Sequence, residues 1–322
     1  MELWIPITVA AALFQNIRTA LQKHLKDKLD TTGATYARFL YAVPFTWIYL
    51  FVISNIGSLS SPSTDRLPDT NLEFLAFCVL GGIAQILATF LLVWLFGQRN
   101  FAVGTSLTKT EAIQTAMFGL ILLGDTISFQ TITGILISLV GVIALYKKST
   151  PTPQPQNAAK TEFMKTGLIK RGRALLTQDK SILPGITAGT LFALSAVSYR
   201  AASLSLGGEG FVIQSAYTLV WVTGFQTLAM GVYLILRKPG ILTRVFKSWR
   251  AAIWVGLTGM LGSAGWFAAM TLENAAHVRT LGQIELIFTL AIGYIFFKER
   301  LSRRELTGVC LITTGILTLI AT

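Results

Sequence analysis

Ten stretches of about twenty mostly apolar residues run through the chain, and they decide its fold class before any motif is considered. They cover 3–22, 33–54, 72–96, 101–123, 127–146, 182–204, 211–236, 250–272, 275–297 and 302–321. Each is long enough to cross the roughly 30 Å hydrocarbon core as a helix. A helix satisfies its own backbone hydrogen bonds where lipid cannot. Leu, Ala and Gly fill the blocks, and the residue-by-residue alternation of a membrane barrel strand is missing. The expectation is an all-α membrane protein of ten transmembrane helices.

The formal charge of +12 could suggest a nucleic-acid partner, but its placement argues against one. Of the 27 Lys and Arg residues, 21 lie in the loops after the first, third, fifth, seventh and ninth blocks or within the first three residues of the block that follows. The opposite face has Arg66 alone, and Arg18, Arg38, Lys109, Arg200 and Arg279 lie inside blocks. Basic loops stay in the cytoplasm. Both termini are therefore expected on the outer side of a bacterial inner membrane, and the lipid bilayer is the partner that the charge implies. Met1 to Trp4 lacks a basic n-region, so the first block reads as a retained helix rather than a signal peptide.

The halves repeat each other at an offset of 174 residues. Gly82 matches Gly256, Asn100 matches Asn274, Glu111 matches Glu285, Asp125 aligns with Glu299, Gly134 matches Gly308 and Gly141 matches Gly315. Five helices per half is an odd number, so the second copy enters the membrane from the opposite side. Inverted repeats are a common transporter architecture, with the substrate site near the midplane between them. The expected division is a first five-helix repeat over 1–146, a basic linker over 147–181 and a second repeat over 182–322. A short surface helix from Phe163 to Leu176 and a disordered linker are both open readings of that segment.

Ionisable groups inside membrane helices are costly and often mark a pathway. Lys109 and Glu111 lie roughly 12–15 Å into the fourth block at 1.5 Å per residue, and Glu285 is similarly deep in the ninth. On a regular helix Lys109 and Glu111 point in different directions. Thr105 and Lys109 share one face, and Arg279 and Gln283 occupy the matching face of the ninth block. If these faces line the cavity, Lys109, Arg279 and Gln283 engage a carboxylate or other anion. Glu111 and Glu285 then face neighbouring helices and pair with Arg38 or Arg200. The reverse assignment, with the carboxylates binding an amine or a coupling proton, stays open. Arg18, Arg38 and Arg200 can instead snorkel toward the interfaces. Gln85, Trp94 and Trp266 are further candidates for the cavity wall. The glycines at 256, 259, 262 and 265 read as a close-packing seam.

Cys78 and Cys310 read as small buried packing residues, and the inventory offers no metal cluster. His277 has no surrounding set of ligands for metal or catalytic work. There is no phosphate-binding loop for nucleotide coupling and no cofactor is expected. An integral membrane enzyme would want a His, Asp or Cys constellation at the membrane face, which the chain lacks.

Phe296-Phe297-Lys298-Glu299-Arg300-Leu301-Ser302 followed by Gly308 and Gly315, with its weaker copy Leu123-Gly124-Asp125-Thr126-Ile127-Ser128 followed by Gly134 and Gly141, resembles the repeat ending of the EamA family. That family belongs to the drug/metabolite transporter superfamily. Ser302 with Glu305 also forms a capping box for the last helix. The resemblance spans nearly the whole chain. It implies ten helices in two inverted repeats, central helices lining a cavity, and export or import of small metabolites, amino acids among them. Leu286 and Ala112 stand where relatives often carry proline, so a proline kink is not expected. The functional expectation is a secondary transporter, an exporter, of a small polar metabolite such as an amino acid, working by alternating access as a monomer or homodimer. The proton is the candidate coupling ion. A flippase for a lipid-linked group is the alternative, ahead of a membrane enzyme.

Overall fold

The structure is a computed structural model and describes residues 2–60, 67–97, 107–145, 182–208, 210–297 and 303–320. The 147–181 linker with its possible surface helix, and Ser302 of the capping box, lie outside the described residues. Every element among the described residues is helical: α1 Trp4–Leu25, α2 Thr31–Leu40, α3 Val43–Ser60, α4 Leu72–Leu95, α5 Glu111–Leu123, α6 Phe129–Leu145, α7 Ile182–Ser205, α8 Phe211–Arg237, α9 Pro239–Lys247, α10 Trp249–Leu272, α11 Ala275–Leu281, α12 Ile284–Phe297 and α13 Arg303–Ile320. Ten membrane helices arise because α2 with α3, and α11 with α12, each make one broken span.

The breaks have local causes. Pro44, in the first turn of α3, has no N–H to give to the preceding turn, and the chain pivots at Tyr41–Ala42. In the ninth span no proline is needed. Gln283 N–H bonds to the Thr280 carbonyl at 3.1 Å and Glu285 N–H to that of Gly282 at 3.2 Å. These three-residue closures tighten the helix at Gly282–Gln283. The fourth span has a 3₁₀ turn over Thr108–Thr110 before α5. The two tight turns lie 174 residues apart, so the repeat seen in the sequence extends to its irregularities. Asp30, Asn71 and Asn274 cap α2, α4 and α11 by accepting from the N–H groups of Gly33, Phe74 and Ala276.

The closest packing crosses between repeats: α4 on α7, α1 on α10, and α6 on α13. Under the repeat the first two pairs exchange and the third maps onto itself. At the α6–α13 seam a Cβ on Gly134 would lie 2.8 Å from the Gly315 carbonyl, and one on Gly141 2.9 Å from that of Gly308. The matched glycines therefore permit backbone contact across the pseudo-twofold. The α10 glycines do pack as a seam: Gly262 and Gly265 meet α1 near Ala11, and Gly256 meets the Tyr41 backbone at the α2–α3 pivot.

The outer surface is apolar. Trp47, Phe51, Ile121, Leu228 and Leu236 are exposed, as suits a lipid-facing bundle. Two expectations need correction. Cys78 is buried, but Cys310 is exposed on α13. The loop after α8 also forms a helix, α9, which starts with Pro239 in its first turn, buries Ile241 and Val245, and carries Arg244 and Lys247 in its last turn. A nine-residue stripe with so few apolar residues falls below the length at which a membrane span would be read, yet suffices for a surface helix.

Candidate functional site

The two tight turns bring the intramembrane charges together. Both glutamates sit in the first turn of a half-helix, Glu111 on α5 and Glu285 on α12, where the positive end of the helix favours a carboxylate. Lys109 lies within the 3₁₀ turn. Three residues per turn replaces 3.6 there, so the regular helical wheel that separates Lys109 from Glu111 fails. Both side chains reach the same cavity.

The ion pairs cross between the repeats. Lys109 Nζ pairs with Glu285 Oε1, and Arg279 with Glu111 Oε1 at 3.7 Å. Each glutamate therefore takes its partner from the other half, and the expected pairing with Arg38 or Arg200 does not occur. Gln15 on α1 donates to the second Glu285 oxygen at 2.6 Å and accepts from the Trp266 indole at 2.9 Å. Asn16 donates to the Glu285 carbonyl at 3.3 Å. The Arg279 guanidinium also stands 4.8 Å from the centre of the Trp266 ring.

These groups line a cavity of about 260 Å³ that runs from Arg18, within the bundle, to Lys23 at the end carrying the basic loops. Beyond Arg18 and Arg279 the space narrows to a void of about 20 Å³ against Arg38, Gln85, Tyr199 and Trp266. Gln226 donates to Gln85 at 2.8 Å, and Tyr199 donates to the Gly81 carbonyl at 2.8 Å. Arg38 donates to Thr89 at 2.7 Å.

Several sequence expectations change here. Lys109, Glu111, Arg279 and Glu285 line the cavity, and Gln85 and Trp266 its inner end. Trp94 is not among the lining residues; its carbonyl accepts from Lys26 at 3.3 Å. Gln283 is also outside the lining, buried with both polar atoms unpartnered. Arg18 and Arg38 do not snorkel: both are only 4% exposed. The polar face of α1, Gln15 and Asn16 included, escaped notice because uncharged amides stand out little in an apolar block.

The end opposite the basic loops carries a second polar cluster. Gly124 takes a positive φ of 66° at the end of α5 and turns the chain into Asp125. Asp125 faces Arg200 at 3.9 Å, and Arg200 also donates to the Met270 carbonyl at 2.6 Å and to that of Glu273. His277 bridges Glu273 at 2.9 Å and Thr131 of the first repeat at 3.0 Å. Glu273 lies just beyond α10, where its hydrogen bond with His277 holds its carboxyl below the usual range. Arg200 thus faces Asp125 rather than either intramembrane glutamate. No group of three or more metal-ligating side chains occurs among the described residues.

Comparison with known proteins fits this architecture. A family model described as "EamA-like transporter family" matches residues 2–147 and 182–321. A chain of known structure, described only as "Crystal structure of protein", is 16% identical with a TM-score of 0.54 over 96% of both chains, a likeness of fold alone. No curated protein matches the sequence.

Proposed function

Because the chain belongs to the EamA-like transporter family, and is therefore a multi-pass membrane transporter, we propose that it exports a small polar, carboxylate-bearing metabolite such as an amino acid by alternating access. The observation that carries this reading is the pair of crossed ion pairs at pseudo-symmetric positions in a cavity open at one end. Taking the basic end as cytoplasmic, the cavity faces the cytoplasm and the Asp125–Arg200 and Glu273–His277–Thr131 contacts form the closed outer gate.

A solute carboxylate entering from the basic end competes with Glu285 for Lys109 and with Glu111 for Arg279. A solute amine takes the glutamate so released. A coupling cation, with the proton as the candidate, is the alternative to an amine at the glutamate so released. Since the halves are inverted copies, exchange of conformations between them opens the outer gate and closes the basic end.

Counterflow in proteoliposomes tests this directly. Vesicles preloaded in turn with amino acids and organic acids should take up labelled solute of one class. That uptake should be lost in Lys109→Gln and Glu285→Gln protein that still runs as a monodisperse species. Absence of exchange across the panel from folded protein would reject a small-solute carrier in favour of a lipid-linked substrate.

A further inference from the structure

We infer that the transported solute carries two anionic groups, and that the second is held at the inner end of the cavity by Arg18 and Arg38. This rests on the transport reading and narrows its substrate class.

The argument starts from charge. Arg18, Arg38, Lys109 and Arg279 line the cavity and its inner voids, Lys23 stands at the mouth, and the acids lining the same spaces are Glu111 and Glu285. Lys109 and Arg279 are matched by the two glutamates. Arg18 is left with only the longer-range attraction of Glu285, which is already paired with Lys109, and Arg38 has no carboxylate partner among the described residues. A guanidinium does not lose its proton in a protein, so the excess of two positive charges inside the mouth is permanent.

The two arginines are adjacent. A Cβ built on Gly259 would lie 3.5 Å from the Cδ of Arg18 and 3.7 Å from the Cγ of Arg38. Their own hydrogen bonds are few. Arg38 meets Thr89, Arg18 has a long 3.4 Å contact with Thr19, and the Nε of Arg18 is buried without a partner. Burying unpaired charge is among the costliest arrangements a fold can hold. Intramembrane charges that persist without a partner mark a ligand site. The planar donor fork of arginine matches a carboxylate or phosphate head.

Charge, rather than size, selects among anions. The inner void of about 20 Å³ has room for about one water, so a head group meets Arg18 where that residue lines the 260 Å³ cavity beside Lys109 and Arg279, with Arg38 behind it across the void. A dicarboxylate or a phosphate ester has this charge. An anion of one charge leaves one arginine unanswered.

Binding can be read without flux, from the thermal midpoint of the detergent-solubilised full chain. Succinate, inorganic phosphate, butyrate and chloride are the probes. At about a hundredfold excess over its dissociation constant, a bound dianion should raise the midpoint by roughly 5 °C. Butyrate and chloride should leave it unchanged. A response to succinate identifies a dicarboxylate head, and a response to phosphate alone a phosphate ester. Arg38→Gln should raise the ligand-free midpoint, because it removes an unpaired buried charge, and weaken the dianion at least tenfold. Arg18→Gln should weaken it similarly. The inference is overturned if neither dianion binds, if butyrate matches succinate, or if both variants bind as the parent does. Dianion binding without counterflow in vesicles would reject the transport reading and leave this site standing. Counterflow of singly charged or zwitterionic solutes without dianion preference would do the reverse.

Discussion

Arg279→Gln should destabilise the protein far more than Arg279→Gln combined with Glu111→Gln. Arg279 and Glu111 lie in the membrane interior with side chains 6% and 9% exposed and approach to 3.7 Å. Arg279 is the one charged partner of Glu111 recorded among the described residues. Its removal leaves a buried carboxylate unanswered, which costs about 3–5 kcal/mol, and forfeits the Trp266 contact, worth about 1 kcal/mol. At roughly 2 °C per kcal/mol for a chain of this size, the midpoint should fall by about 8–12 °C. The double variant puts two amides where two charges stood. It should recover all but about 1–2 kcal/mol of the loss, because a matched neutral pair has no uncompensated charge to bury. Following tryptophan fluorescence of detergent-solubilised protein through a thermal ramp, with all four corners of the cycle measured, gives the answer. A single variant melting within about 2 °C of the parent, or a double variant showing the sum of the single losses, would refute a coupled cross-repeat pair.

Three further outcomes follow from the geometry. The Glu273 carboxyl is held low by His277, so its contribution to the Glu273–His277–Thr131 cluster is complete above the ordinary glutamate value and is lost as pH falls through its lower folded value; the midpoint of Glu273→Gln should vary less than that of the parent across that acidic window. Gly315→Ala places a methyl group against Ser138 and the Gly134 carbonyl, and denaturant titration should show a loss of about 1–3 kcal/mol from overpacking at the α6–α13 seam. Reorienting an empty carrier moves the two unmatched arginines without an anion, so efflux of labelled solute into solute-free medium should be at least about tenfold slower than into medium containing it; equal rates would show that the empty cavity crosses as readily as the loaded one.

The burial of Arg18 and Arg38 shows where reasoning along the chain stops. Arg18 is one turn from the basic loop at Lys23, and on an isolated helix it would extend to the interface. It turns inward because α1 packs on α10, whose glycine seam brings the two helices close enough to enclose it. Arg38 is enclosed in the same way, beside the pivot that Gly256 admits. Trp94 and Gln283 fail as wall residues for the converse reason: depth in a block says nothing about which neighbour covers a face.

Legible in the order of residues alone were the membrane class, the helical spans, the duplication and its inversion, and the placing of Lys109, Glu111, Arg279 and Glu285 deep inside those spans. These follow from hydrocarbon thickness, from the offset of 174 residues and from the high cost of charge in lipid, all of which act on residues one at a time or at fixed separations. Tertiary structure alone decided which charge answers which. The 3₁₀ turn at Thr108–Thr110 swings Lys109 and Glu111 into one cavity, and the packing of α5 against α11 sets Glu111 opposite Arg279. Partners 168 residues apart meet because two inverted halves interlock, and an ion pair's energy depends on distances that only this interlocking fixes.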